Sequence, residues 1–314
     1  MKNIIITYFI LISVTNGCRS TETKQNIMGN FDISMNDEHV VFSYYQQKGS
    51  SIYSMDISGN NKKTIVASTE TMSYFNPKYS RDDSKIVFIE YEKKNATNCT
   101  LCIANADGSE IRRLTKGNEI ITEAIFSSND SLIIFCKANE YDKYSPLGHK
   151  QAHNFDIYSV NILNGDIKKI SNLNSYGMYQ ISEIDSSNYL MHVYAGPDGG
   201  MFLFSKDDPG NLKRIVPANN PRGDASMYDS PLYSPKSDIL AFIAPYELYI
   251  MDMKSKMARL LYDNKGHSHI EYICFYNTKG KILFLKKGDT KLHSINVDGT
   301  ELNTIDMSPN SFKN

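Results

Sequence analysis

Six short apolar runs punctuate the chain: His39-Val40-Val41-Phe42, Lys85-Ile86-Val87-Phe88, Leu132-Ile133-Ile134-Phe135, Tyr189-Leu190-Met191-His192, Ile239-Leu240-Ala241-Phe242 and Lys281-Ile282-Leu283-Phe284. Measured at the last residue of each run, the steps are 46, 47, 57, 50 and 42 residues. A polar turn precedes each run, as in Arg81-Asp82-Asp83-Ser84 and Ser128-Asn129-Asp130-Ser131, built from residues that close tight hairpins. A second, alternating segment follows each run, at 52–57, 100–106, 156–162, 201–207, 247–253 and 292–297. A further turn, such as Ala106-Asp107-Gly108-Ser109, leads to a last short strand. With the segment before each polar turn (76–80, 123–127, 231–234), every repeat holds four short strands. Sustained helical spacing is absent beyond the N-terminal leader.

Four strands per unit at a period of about 40–50 residues is the signature of a propeller blade. The continuous apolar runs fit the second strand of a blade, which neighbouring blades cover on both faces. The sequence therefore predicts an all-β, six-bladed β-propeller with four antiparallel strands per blade, occupying residues 31–308 as one domain, with a short tail at 309–314.

Individual repeats carry a family likeness. Tyr79-Ser80-Arg81-Asp82-Asp83-Ser84-Lys85-Ile86-Val87-Phe88 and Tyr233-Ser234-Pro235-Lys236-Ser237-Asp238-Ile239-Leu240-Ala241-Phe242 resemble the TolB-type repeat, commonly W-S-P-D-G-K-x-I-A-F. The stretch Ile52-Tyr53-Ser54-Met55-Asp56-Ile57-Ser58-Gly59-Asn60 resembles the same family's I-Y-x-M-D-x-D-G-x. The chain contains no Trp, and Tyr79, Phe126, Tyr233 and Tyr276 stand at the usual Trp position. Blade four, roughly 176–219, is the most diverged.

Charge narrows the partners. The 34 Lys and Arg nearly balance the 35 Asp and Glu, so no basic excess is present to hold a phosphate backbone, and nucleic acid is not expected as a partner. Lys2 followed by the apolar stretch 4–14 and then Thr15-Asn16-Gly17-Cys18 reads as an export signal, too short for a membrane span. Gly17-Cys18 also resembles a bacterial lipobox, with Thr15 where that motif carries an aliphatic residue. The resemblance implies lipidation at Cys18, a polar tether over 19–30, and a place in the bacterial cell envelope, in the periplasm or on the outer membrane. Contact with the membrane is then expected only through the lipid.

The other cysteines, Cys99, Cys102, Cys136 and Cys274, read as buried packing residues. Cys99 and Cys102 have C-x-x-C spacing but sit on a strand, where residues three apart face opposite sides, which suits neither a disulfide nor a shared metal.

Candidate binding residues come from loops. Connections from strand two to three, and from strand four to the next blade, emerge on one rim, and the longest and least regular ones lie there. The blade-three insertion contains His149 and His153. The stretch before blade five holds Asn220, Arg222, Asp224 and Tyr228, where Arg222 offers a fork for an anionic sugar or peptide. The stretch before blade six holds His267 and His269, so four of the seven histidines lie in two loops. His267-Ser268-His269 resembles the H-x-H pair of oligogalacturonate-lyase-like propellers, where paired histidines and a Gln bind a divalent metal. The resemblance implies a divalent cation at His267 and His269, with Asn264 at the Gln position and His192 as a distant further ligand. Gly266-His267-Ser268-His269-Ile270 lacks the closing Gly and the α/β setting of a serine nucleophile elbow. The expectation is a monomeric ring that binds an envelope protein or glycan without catalysis and without a required cofactor; the competing expectation is a metal-dependent uronate lyase.

Overall fold

The computed structural model describes residues 27–46, 49–143 and 150–307. The leader, Cys18, the start of the tether, His149 and the tail lie outside the described residues.

Six four-stranded antiparallel sheets follow one another along the chain. Blade one is β1 (Ile27–Ile33), β2 (His39–Gln46), β3 (Gly49–Asp56) and β4 (Lys63–Val66). Blade two is β5 (Met72–Tyr79), β6 (Lys85–Glu92), β7 (Asn95–Asn105) and β8 (Arg112–Arg113). Blade three is β9 (Ile120–Phe126), β10 (Leu132–Lys143), β11 (Lys150–Asn161) and β12 (Ile167–Lys169). Blade four is β13 (Gly177–Glu183), β14 (Asn188–Tyr194), β15 (Gly200–Ser205) and β16 (Leu212–Arg214). Blade five is β17 (Asp229–Ser234), β18 (Ile239–Ala244), β19 (Glu247–Asp252) and β20 (Ala258–Asp263). Blade six is β21 (Ile270–Phe275), β22 (Lys281–Lys286), β23 (Lys291–Asn296) and β24 (Asn303–Asp306). The fold expected from the repeats is the fold observed. The first strand begins at Ile27, so the last residues assigned to the tether belong to the propeller.

The innermost strands touch in sequence, β1 to β5, β5 to β9, β9 to β13, β13 to β17 and β17 to β21, and β21 returns to β1. That return closes the ring. Among the described residues each sheet is made from one continuous stretch of chain, and no strand is shared between the first and last blades.

The apolar second strands show how the ring is packed. Val40 and Phe42 belong to the cluster shared with blade six, whereas Val41 belongs to the cluster shared with blade two. Ile86 and Phe88 face blade one, and Val87 and Ile89 face blade three. Period-two alternation thus sends successive side chains into opposite interfaces, which is why runs such as Val40-Val41-Phe42 and Ile86-Val87-Phe88-Ile89 hold no polar residue. The six apolar clusters are the six junctions between blades, each drawing on both neighbours. Burying one such side chain, Phe42 for example, stabilises by about 1.5–3 kcal/mol. Cys99 packs into the junction with blade three and Cys102 into that with blade one, and all four described cysteines are buried thiols outside any disulfide.

Polar clasps reinforce several junctions. Asp37, Asp83 and Asp130 stand in turns between first and second strands with φ of 59°, 60° and 54°, the left-handed region that disfavours most side chains. Each carboxylate reaches back to the turn of the preceding blade. Asp37 accepts from the backbone N–H of Asn277 (2.6 Å), Thr278 (2.8 Å) and Lys279 (3.2 Å), and from the Thr278 hydroxyl. Asp83 accepts from Met35 (2.6 Å) and Asn36 (3.2 Å), and Asp130 from Arg81 (2.9 Å) and Asp82 (3.2 Å). In blade four Asp185 instead turns onto its own loop, accepting from Ser187 and Asn188.

Because Asp37 is buried and holds the closing junction, Asp37→Gly, which keeps the backbone conformation open, should lower unfolding stability by about 2–4 kcal/mol. Asp130→Gly should cost less, having fewer bonds to lose. Urea unfolding of the two variants checks the order; equal midpoints would contradict it.

Candidate functional site

The rim that carries the second-to-third hairpins and the blade-to-blade connections forms a continuous neighbourhood. Its most prominent part is a hairpin arm on blade three. β10 and β11 are 12 residues each, against 6 to 8 for the second strands of the other blades. What reads in sequence as an irregular insertion is largely a regular strand pair, in register from Leu132 opposite Asn161 to Lys143 opposite Lys150. Asn139 to Lys143 are exposed along β10, whereas Ala152 and His153 on β11 are buried, Ala152 in the cluster shared with blade four, so the arm shows one open strand and is packed along the other.

His153 lies at the root of this arm and is 4% exposed. Its Nε2 is 2.6 Å from an Asp142 carboxylate oxygen and its Nδ1 is 3.6 Å from one of Glu140. Burial works against the imidazolium, but the bond from Asp142 and the nearby carboxylates outweigh it and raise the His153 pKa. On the other face of the arm, Asn139 donates to Asp156 (3.1 Å), which pairs with Lys169 at 2.7 Å.

Neighbouring contacts carry the rim onward. Gln151 donates to the Tyr176 hydroxyl, and the Tyr176 ring lies 6.0 Å from that of Tyr194 on blade four. The loop before blade five is held from within. The Tyr228 hydroxyl donates to Asn220 Oδ1 (2.8 Å) and accepts from the Arg222 backbone (3.0 Å). Asp224 caps a short 3-10 turn, Ala225–Met227, by accepting from Ser226. Tyr228 is fully buried, with its ring 5.0 Å from Phe242, edge to face. Of the four residues expected to bind a ligand here, Tyr228 is therefore a core residue, and the Asn220 and Asp224 side chains build the loop. Only the Arg222 guanidinium reaches outward, to Glu247 at 3.2 Å.

His267 and His269 lie in the next connection. His267 is exposed, whereas His269 is half-buried against Tyr246, ring to ring at 4.5 Å. Burial and the nearby Lys287 lower the His269 pKa. Asn264, at the expected Gln position, donates to the Ser268 carbonyl (2.8 Å) and accepts from the Tyr262 hydroxyl (3.1 Å). His192 pairs with Asp229 at 3.3 Å on the junction of blades four and five. Neither residue joins the two histidines.

A second polar region, not found from sequence, surrounds the axis. Every innermost strand breaks register at a bulge: between Met28 and Phe31, Phe75 and Lys78, opposite Cys136 and Lys137, between Tyr179 and Ser182, Asp229 and Leu232, and Ile270 and Tyr272. Bulges re-aim side chains, and here they hand hydrogen bonds from blade to blade. Asn30 donates to Asn76 (3.1 Å), Asn76 to Glu123 (2.7 Å), and Thr122 to the Met178 carbonyl (3.2 Å). Gln180 of blade four donates to the Glu271 carbonyl of blade six at 3.4 Å, a bond that skips blade five and so crosses the middle of the ring. Arg81 of blade two likewise reaches Glu183 of blade four at 3.7 Å. The available signals were Asn76-Pro77 and Ser230-Pro231, since proline inside a strand marks a bulge. Burial raises the Glu123 pKa, against the opposing pull of Asn76 and Lys78.

No protein-family profile matches the chain, and no curated protein matches it in sequence. Solved structures do match in shape. TolB from Acinetobacter baumannii superposes with a TM-score of 0.66 at 14% identity, over 87% of this chain. The chain has the TolB-type propeller fold. It spans 64% of the length of that TolB. An oligogalacturonate lyase in complex with manganese matches with a TM-score of 0.58 at 12% identity, over 88% of this chain and 77% of its own. The oligogalacturonate lyase of Vibrio parahaemolyticus matches with a TM-score of 0.59 at 10% identity, over 91% and 81%. At these identities the likeness of the TolB-type ring to its neighbours is one of fold.

Glu123 gives this fold a definite pH signature. With its folded pKa above the ordinary 4.5, the native state binds the proton more tightly than the unfolded chain. Its favourable contribution is complete below the unfolded value and is lost as pH rises through the folded value. Glu123→Gln, whose side-chain oxygen still accepts from Asn76, should remove that decline and gain on the wild type with rising pH. Melting midpoints at a series of pH values test this; parallel curves would refute it.

Proposed function

We propose that the protein is an exported, lipid-anchored propeller of the bacterial cell envelope that serves as a non-catalytic platform for a protein or glycan partner. The observation that carries this reading is the blade-three arm. A closed ring presents it rigidly, and its exposed face mixes Tyr141, charged side chains and amide groups suited to a polar partner. Interior bonding of the neighbouring loop supports the same reading, because Asn220, Asp224 and Tyr228 act as scaffold, leaving Arg222 and the arm to face outward. Likeness in fold to TolB agrees with an envelope role, and the lipobox-like Gly17-Cys18 would supply the anchor. Among the described residues, no helix is long and apolar enough to cross a membrane.

A lyase reading would require His267 and His269 to converge on a metal with further ligands. Asn264 and His192 are engaged elsewhere, which leaves that reading unsupported by geometry.

Three measurements test the proposal together. Cys18→Ser should move the protein from the membrane fraction to the soluble envelope fraction. A photo-crosslinking residue at position 141 should capture a defined envelope partner or glycan, whereas one at exposed Lys236, on the opposite rim, should not. Uronate oligosaccharides with added manganese should yield no unsaturated product. Turnover that disappears in a His267→Ala/His269→Ala variant would overturn the platform reading in favour of the lyase.

A further inference from the structure

The root of the arm brings Glu140, Asp142 and His153 together, and it does so through strand register. Glu140 stands directly opposite His153 across the β10–β11 ladder, and Asp142 lies two residues further along β10, on the same face. One ligand atom from each of the three lies within 4.8 Å of the others. Among the described residues this is the single group of three or more His, Cys, Asp or Glu side chains so arranged.

We infer that Glu140, Asp142 and His153 form a binding site for a divalent transition-metal cation, with zinc as the best match to the donor set. One imidazole nitrogen and two carboxylate oxygens suit zinc, which accepts three protein ligands and keeps a fourth position for water. Zinc takes such donors at about 2.0–2.2 Å in a tetrahedron, which sets them roughly 3.4 Å apart. Asp142 lies at His153 Nε2 (2.6 Å) and Glu140 nearer Nδ1 (3.6 Å), so a shared cation at Nε2 requires the exposed Glu140 side chain to swing round to that edge of the ring. The two carboxylates are exposed, at 51% and 61%, and free to turn, while the imidazole is held in place by its burial. Bound there, the cation replaces the proton that His153 Nε2 and Asp142 share and neutralises two like charges on one strand face. It also ties β10 to β11 where the arm leaves the ring, stiffening the arm with no contact from a partner. The inference stands apart from the platform reading and from the histidine pair at His267 and His269.

The test is calorimetric titration of the intact, chelator-treated protein with zinc chloride. The expected result is one equivalent bound by the wild type. Glu140→Gln/Asp142→Asn should weaken that binding by more than about 100-fold, beyond the roughly 10–100-fold that loss of an outer partner of a metal ligand brings. Because Asp142 also bonds the buried His153, this variant should melt somewhat below the wild type in chelator; added zinc should raise the melting midpoint of the wild type and leave that of the folded variant unmoved, which separates loss of ligand from loss of fold. Cobalt(II) offers an independent readout: a visible absorption band in the wild type that is absent from His153→Gln at the same concentrations. His267→Ala/His269→Ala should bind zinc as the wild type does. Absence of stoichiometric binding, undiminished binding in the carboxylate variant, or loss confined to the His267→Ala/His269→Ala variant would each overturn the assignment.

Discussion

Closure of the ring without a shared strand is the constraint on which the rest of this structure depends. Each strand ladder is confined to its own blade, so most of what joins one blade to the next is made by side chains, beside a few backbone bonds such as that from the Ile270 N–H to the Pro245 carbonyl. The apolar clusters supply the driving force, because a sheet whose two faces are both oily is stable only between two neighbours. The clasps supply direction. At three of the junctions a carboxylate in the left-handed region accepts from N–H groups of the turn behind it and ties the two blades together at that rim. Asp37 matters most among them, since its partners lie on the sixth blade and it joins the two ends of the ring.

The same logic explains how the rim comes to be rigid. Loops that look free in a linear reading are tied into the blades beneath them: Asn219 exchanges two hydrogen bonds with the backbone of Ala258, and Tyr228 fills the junction of blades four and five. Rigid loops present a few outward groups in fixed places at little entropic cost on binding. Arg222, the arm and the triad at its root are such groups.

Much of the fold was legible because it is written in local periodicity. Runs such as Lys85-Ile86-Val87-Phe88 show a doubly covered strand without reference to any partner, and the turn residues before them mark the hairpins. The candidate site was legible only in part. His153 was singled out for its residue type, but its carboxylate neighbours emerge only once the register of β10 against β11 is known. Asp37, Asp83 and Asp130 look like turn formers, and nothing local distinguishes a carboxylate that bonds its own loop, as Asp185 does, from one that bonds the preceding blade. Tyr228 shows the converse: an aromatic among Asn, Arg and Asp reads as surface, yet the connection folds inward and buries it. Such contacts are non-local, and a bulge that re-aims Gln180 across the ring leaves a still fainter trace.

Assembly of each blade from a single continuous stretch has a consequence for how the molecule comes into being. As the polypeptide is delivered from its N-terminus, every sheet can pair its strands as soon as its own stretch is available. The outer flank of the first sheet, however, stays wet until the sixth arrives, since Phe42 and Tyr44 have Leu283 and Leu285 as their partners. The growing stack therefore carries an adhesive surface at each end throughout its maturation, and the sixth blade, β21 to β24, acts as the keystone that removes both at once.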